Sequence, residues 1–160
     1  MQKSMLIPVM SLILLIGYSC KNGTNIGDNY SAENHPVKEL FLSSIGAFNQ
    51  GKVELFLANF ASDIKMYGTD GNYFGQDLLK NRFEILFTQF PNMKMEIPKL
   101  TLKILSREVV MVNFEWKVYP MGQGPAFSGI GSGIYQKLDG KWLEILEVET
   151  ITHVDEALKQ

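Results

Sequence analysis

Glu147 and Glu149 stand at alternate positions of a strand-like run near the end of the chain, in step with Leu143, Ile145 and Ile151. Two carboxylates on an otherwise apolar strand face are unusual, since Glu is seldom buried without a partner. Inside an apolar cavity such a group resists ionisation and can give or take a proton near neutral pH. At the rim or on the outer side of a sheet both would be solvated and inert, and this simpler placement is the expectation for the pair. Glu149 is nevertheless one of two weak candidates for a catalytic residue. The other is Asp70, which follows Tyr67 in a glycine-containing turn, where turn formation is the more ordinary role for it and for Asp63. No nucleophile is paired with a base. His35 and His153 lie far apart without ligand-like neighbours, so neither a metal site nor a cofactor is expected.

Cys20 is the chain's only cysteine, and it follows an apolar run from Met5 to Gly17 that begins after Lys3. The run would span about 20 Å as a helix, short of the roughly 30 Å hydrocarbon core of a bilayer. A basic start, a short apolar core and small Ser19 make an export signal. The Ser19-Cys20 junction resembles the lipobox of bacterial lipoproteins, although Gly17 and Tyr18 replace its usual Leu and small residue. That resemblance implies a signal over 1–19, acylation of Cys20, and a membrane anchor in the bacterial cell envelope, with the outer membrane favoured. A secreted or periplasmic protein with a free thiol is the alternative. Residues 20–34, rich in Asn and Gly, read as a polar tether.

Residues 35–160 then form one domain. With 46% hydrophobic and 20% charged residues the chain has ordinary globular chemistry, and a formal charge of −2 offers no field for nucleic acid. Pro36 suits a first helical turn, and Val37, Leu40, Phe41, Ser44, Ile45 and Phe48 form one stripe. A second helix is expected over Val53 to Phe60, a short strand over Ile64 to Tyr67, and a turn over Gly68 to Asn72. A third helix runs from Gln76 to Phe90, with Leu79, Arg82, Phe83 and Leu86 along one side. The period then becomes alternating. Strands are expected from Met93 to Leu105, with a bulge or edge near Pro98, from Val109 to Tyr119, from Phe127 to Leu138 and from Lys141 to Thr152. Asp139-Gly140 is a two-residue hairpin turn. Helices followed by antiparallel strands argue an α+β fold. Gly129, Gly131 and Gly133 share one strand face, which suits close packing rather than a phosphate loop.

The element order, with segments 48–57 (FNQGKVELFL), 73–79 (YFGQDLL) and 139–145 (DGKWLEI), resembles the SnoaL-like, or nuclear transport factor 2-like, superfamily. The resemblance implies a cone in which N-terminal helices and a curved antiparallel sheet enclose an apolar pocket. It also implies dimerisation through the outer sheet face, where Met111, Asn113, Glu115 and Lys117 form a half-polar row. Its members include isomerases, cyclases, dehydratases, ligand binders and interaction modules, so it leaves the activity open. Many relatives carry a pocket histidine in the last strand; Val148 stands at that position here. Tyr67, Trp116, Tyr119, Phe127 and Tyr135 are the expected pocket residues. The favoured reading is a domain that binds a small apolar or amphipathic ligand, with a carboxylate enzyme or an interaction module as alternatives.

Overall fold

The computed structural model describes residues 32–159. The expectations for Cys20, the 1–19 signal and most of the tether lie outside the described residues.

Helix α1 spans Pro36–Phe48 and starts with Pro at its first turn, where no amide hydrogen is needed. His35 caps it: neutral Nδ1 accepts from the Val37 amide at 3.2 Å. Burial and the Lys137 charge hold the His35 pKa below 6.5, which preserves that acceptor. The imidazole also meets Trp142 edge-on, with ring centroids 4.9 Å apart. At the other end of α1, the Asn49 side chain pairs with both backbone groups of Met95, donating at 2.8 Å and accepting at 2.6 Å. This fixes the helix against the sheet.

Helices α2 (Val53–Leu57) and α3 (Gln76–Gln89) complete the helical layer. The strands are β1 (Phe60–Tyr67), β2 (Asn72–Phe74), β3 (Lys94–Ser106), β4 (Val109–Tyr119), β5 (Phe127–Leu138) and β6 (Lys141–Val154). They form one sheet in the order β2-β1-β6-β5-β4-β3. The expected α+β architecture is present, and three local expectations change. The second helix stops at Leu57, β1 starts at Phe60, and Asn72 opens a short strand rather than ending a turn. The sheet is also mixed: β1 runs parallel to β6 because the whole β3–β5 meander separates them in sequence.

The register of β3 slips between Glu96 and Lys99, as Pro98 requires. Asp139 and Gly140 both adopt positive φ, 49° and 80°, so the β5–β6 hairpin turns with the hand that matches strand twist. Val110, Val112, Phe114 and Trp116 face the helices as their alternation predicts, packing with Val37, Phe41 and Tyr135. A second cluster gathers Phe48, Phe56, Phe60, Ile64, Leu79 and Phe83. Between the two clusters the concave side of the sheet is not filled.

Candidate functional site: an acidic chamber under the helices

The unfilled space is a cavity of about 320 Å³ between the helices and the inner face of β4, β5 and β6. Its walls are mostly apolar and rich in aromatic rings, with Phe41, Phe48, Phe83, Phe114 and Trp116 among them. The glycine stripe makes this packing possible. A Cβ at Gly129 would strike the Trp116 ring and the Thr150 carbonyl, one at Gly131 the Phe114 ring, and one at Gly133 the Glu144 carboxyl. Both rings and the carboxyl therefore lie across β5 because it carries no side chains there.

The acids are not where simple alternation puts them. In the β5–β6 ladder Tyr135 faces Glu144 and Ile134 faces Leu146, which leaves Ile145 unpaired. This bulge reverses the alternation. Beyond it Glu147, Glu149 and Ile151 face inward; before it Glu144 does, in place of Leu143 and Ile145. The expectation that Glu147 and Glu149 are solvated at a rim is thus corrected, since both line the chamber and Glu144 joins them. Strict alternation could not have found Glu144.

Exposure grows along β6. Glu144 is 1% exposed and Glu147 6%, Glu149 is half-buried, and Ile151 is exposed. Glu144 therefore marks the closed end, and Glu149 is the acid most open to the chamber. Burial raises all three pKa values. Glu144 is pushed up to about 7, held there against further rise by contacts with Glu147 and Tyr135. Glu147 moves well above the carboxylate range through burial and the Glu144 charge. Glu149 reaches about 8 through burial and then the Glu147 charge, although part of its surface opens to the cavity. Near neutral pH the chamber is thus largely a set of carboxylic acids.

Arg82 is the counterweight. Its side chain sits in the apolar stripe of α3, and its guanidinium binds Asp70 through both oxygens, at 2.8 and 3.1 Å. It also donates to Met66 Sδ at 3.3 Å and lies over the Tyr73 and Phe83 rings. Its charge lowers the pKa of Glu147 and of Glu149, but less than burial raises them. The Arg82–Asp70 pair is also part of the wall of an outer cavity of about 350 Å³ beside α3.

Of the expected pocket residues, Trp116, Phe127 and Tyr135 line the chamber. Tyr67 and Tyr119 do not. Tyr67 alternates outward from buried Met66 and packs on Phe74, while Tyr119 lies on the outer parity of β4 and donates to Glu96 at 3.1 Å. Asp70 lines the chamber, yet as the partner of Arg82 rather than as a free acid. Arg82 itself was legible only as a charge in an apolar stripe.

No protein-family model matches the chain, and no curated protein does. Solved structures do. An NTF2-like protein of Pseudomonas putida KT2440 superposes with a TM-score of 0.66 at 16% identity, over 77% of this chain and 89% of that one. The fold is the nuclear transport factor 2-like cone. A cystatin-like-fold protein of Caulobacter vibrioides gives 0.65 at 18% identity, over 76% and 91% of the two chains. The hexachlorocyclohexane dehydrochlorinase LinA-type3 of Novosphingobium barchaimii LL02 gives 0.63 at 11%, over 74% and 85%. In this nuclear transport factor 2-like cone the chamber occupies the space between helices and curved sheet, as the resemblance implied.

Proposed function

We propose that the chamber binds a compact, largely apolar molecule and that Glu149 moves a proton on it. The observation that carries this reading is a carboxyl with a pKa of about 8 opening into an aromatic cavity. A general acid or base works best when its pKa lies near the operating pH, and burial has brought Glu149 there. Apolar walls supply affinity at about 25 cal/mol per Å² of buried surface before association costs. A dehydrochlorinase among the structural neighbours is in keeping with such use of the cone. The test is deuterium exchange at the α-carbon of small aryl-alkyl ketones in D2O, with binding followed by Trp116 fluorescence. Glu149→Gln is expected to abolish exchange with less than a threefold change in affinity, because only the proton-transfer group is lost. Exchange that survives in Glu149→Gln overturns the assignment. Binding without exchange in the wild type leaves a ligand-binding domain.

We also propose that the outer sheet face pairs with a second copy. Ile130 is 52% exposed and Val148 41% exposed there, beside Met111 and the Ser132–Asn113 hydrogen bond of 2.8 Å. A twofold contact needs more than about 1,000 Å² in total. Light scattering on residues 35–160 at tens of micromolar is expected to give twice the monomer mass, and Ile130→Glu to halve it. A monomeric wild type rejects the pairing.

A further inference from the structure

Two buried polar atoms in the chamber wall have no hydrogen-bond partner: Tyr135 Oη and Glu144 Oε1. Both residues are almost completely buried, and both line the cavity at its closed end. A buried polar atom without a partner costs about 1–3 kcal/mol, so a pair of them side by side in one wall points to a polar group of a ligand that completes both, beyond the contact that Tyr135 and Glu144 make with each other. We propose that the chamber accepts a protonated organic amine, its ammonium seated against Tyr135 Oη, Glu144 and Glu147 and its apolar body against Phe41, Phe114 and Trp116.

The charge balance selects the sign. Glu144, Glu147 and Glu149 from β6 and Asp70 from the β1–β2 turn line the chamber, against Arg82 alone from α3. Arg82 is already bound through two contacts to Asp70, so it offsets the β6 acids only in part. An anionic ligand would meet Glu144 and Glu147 at the closed end and could be held there only by keeping both protonated, whereas an ammonium brings three donors to two open acceptors and the Glu147 carboxyl. The aromatic walls act in the same sense, because ring faces attract cations, most strongly where water is excluded. A metal ion fits less well: among the described residues no three His, Cys, Asp or Glu side chains gather in a way that could hold one.

A consequence follows for protons. The acids are largely neutral in the empty chamber because Arg82 and their mutual contacts offset burial only in part, and an ammonium supplies the rest. One carboxyl must ionise as the amine enters, and its proton passes to the solvent. This assignment rests on the chamber being a ligand site but does not depend on Glu149 being catalytic. At the closed end the ammonium leaves Glu149 free to act on the body of the ligand.

The test compares three probes of one skeleton on the full-length protein at pH 7: 4-phenylbutylamine, 4-phenylbutan-1-ol and 4-phenylbutyrate. The amine is expected to bind at least tenfold more tightly than the alcohol, and the carboxylate not measurably. Calorimetry in buffers of different ionisation heat should show a net release of roughly half to one proton per amine, because Glu144 at a pKa of about 7 is already part-ionised, and none per alcohol. Glu144→Gln should lower the amine-to-alcohol ratio at least threefold, with Glu147 holding the remainder, and Tyr135→Phe should lower the ratio in the same direction. If Glu144→Gln does not fold, Glu147→Gln carries the same comparison, and the proton count needs no variant. Equal binding of amine and alcohol without proton release overturns the cation assignment and leaves the chamber as a ligand site. Failure of all three probes to bind overturns both.

Discussion

Glu144→Gln is expected to make the protein more stable at alkaline pH, not less. Glu144 has a folded pKa of about 7 against an ordinary value of 4.5. A raised pKa means that the native state holds the proton more tightly than the unfolded chain. Stability from the neutral acid is therefore complete below about pH 4.5 and is lost as pH rises through about 7. One pH unit of displacement corresponds to about 1.4 kcal/mol, so Glu144 alone accounts for about 3 kcal/mol between those limits. Glu147 and Glu149 add to the loss in the same direction, and Glu149 extends the window to about 8. His35 acts oppositely: its lowered pKa costs stability as pH falls below about 6.5. It is unchanged in the variant and cancels in the comparison. Urea denaturation near pH 5 and near pH 8.5 measures the effect. Wild type should lose stability over this interval, and Glu144→Gln should lose about 2.5 kcal/mol less, the remainder being lost already by pH 5. Parallel pH dependences in the two proteins would show that the acid is solvated after all.

The second large effect is expected at Gly129. An alanine there places a methyl group into the Trp116 ring and the Thr150 carbonyl together. A ring can turn, but the carbonyl belongs to the β5–β6 ladder and cannot yield without breaking it. Overpacking of this kind costs about 1–3 kcal/mol when side chains can adjust, and more when backbone must move. Gly129→Ala should therefore lower stability by at least about 3 kcal/mol, read as a fall in the urea midpoint. It should also displace Trp116, which donates to the Ile130 carbonyl at 3.2 Å, and so change the intrinsic fluorescence. Gly140→Ala provides the contrast: nothing lies within 4 Å of its Cβ, and only the positive φ opposes it. Its cost should be about 1 kcal/mol. Equal losses at the two positions would argue against close approach as the reason for the stripe.

These two regions also show where sequence reasoning reaches and where it stops. The glycine stripe was legible because one strand face without side chains has few physical uses, and close packing is the commonest. The α1 stripe, the alternation of β4 and the Asp139-Gly140 turn were legible for the same reason, as local patterns with local causes. The acids were only half legible. Glu147 and Glu149 stood out by type, but their placement depended on which way β6 faces, a tertiary matter. Glu144 was hidden by the unpaired Ile145, since a bulge in β6 leaves no composition signal of its own. Tyr67 and Tyr119 were attractive as amphipathic rings, yet their strand parity turns them outward. Arg82 could be seen as a charge in an apolar stripe, but its partner Asp70 comes from a turn that no helical pattern connects to it.

Ile145 has one more consequence, which concerns how this chamber could change over time. The strand carries acids at 144, 147 and 149, an odd and uneven spacing, and only the slip at 145 brings all three to the same side. The inventory of inward groups is therefore set by the phase of the strand as much as by its composition. Without that slip one set of inward residues would change places with its outward neighbours: Glu144 would give way to Leu143 and Ile145, or Glu147 and Glu149 to Leu146 and Val148. A chamber with all three acids and one with a single acid or only two are then separated by one unpaired residue rather than by substitutions. Two chains with nearly the same last strand can hold different numbers of inward acids, and the position of the slip has to be known before their interiors are compared.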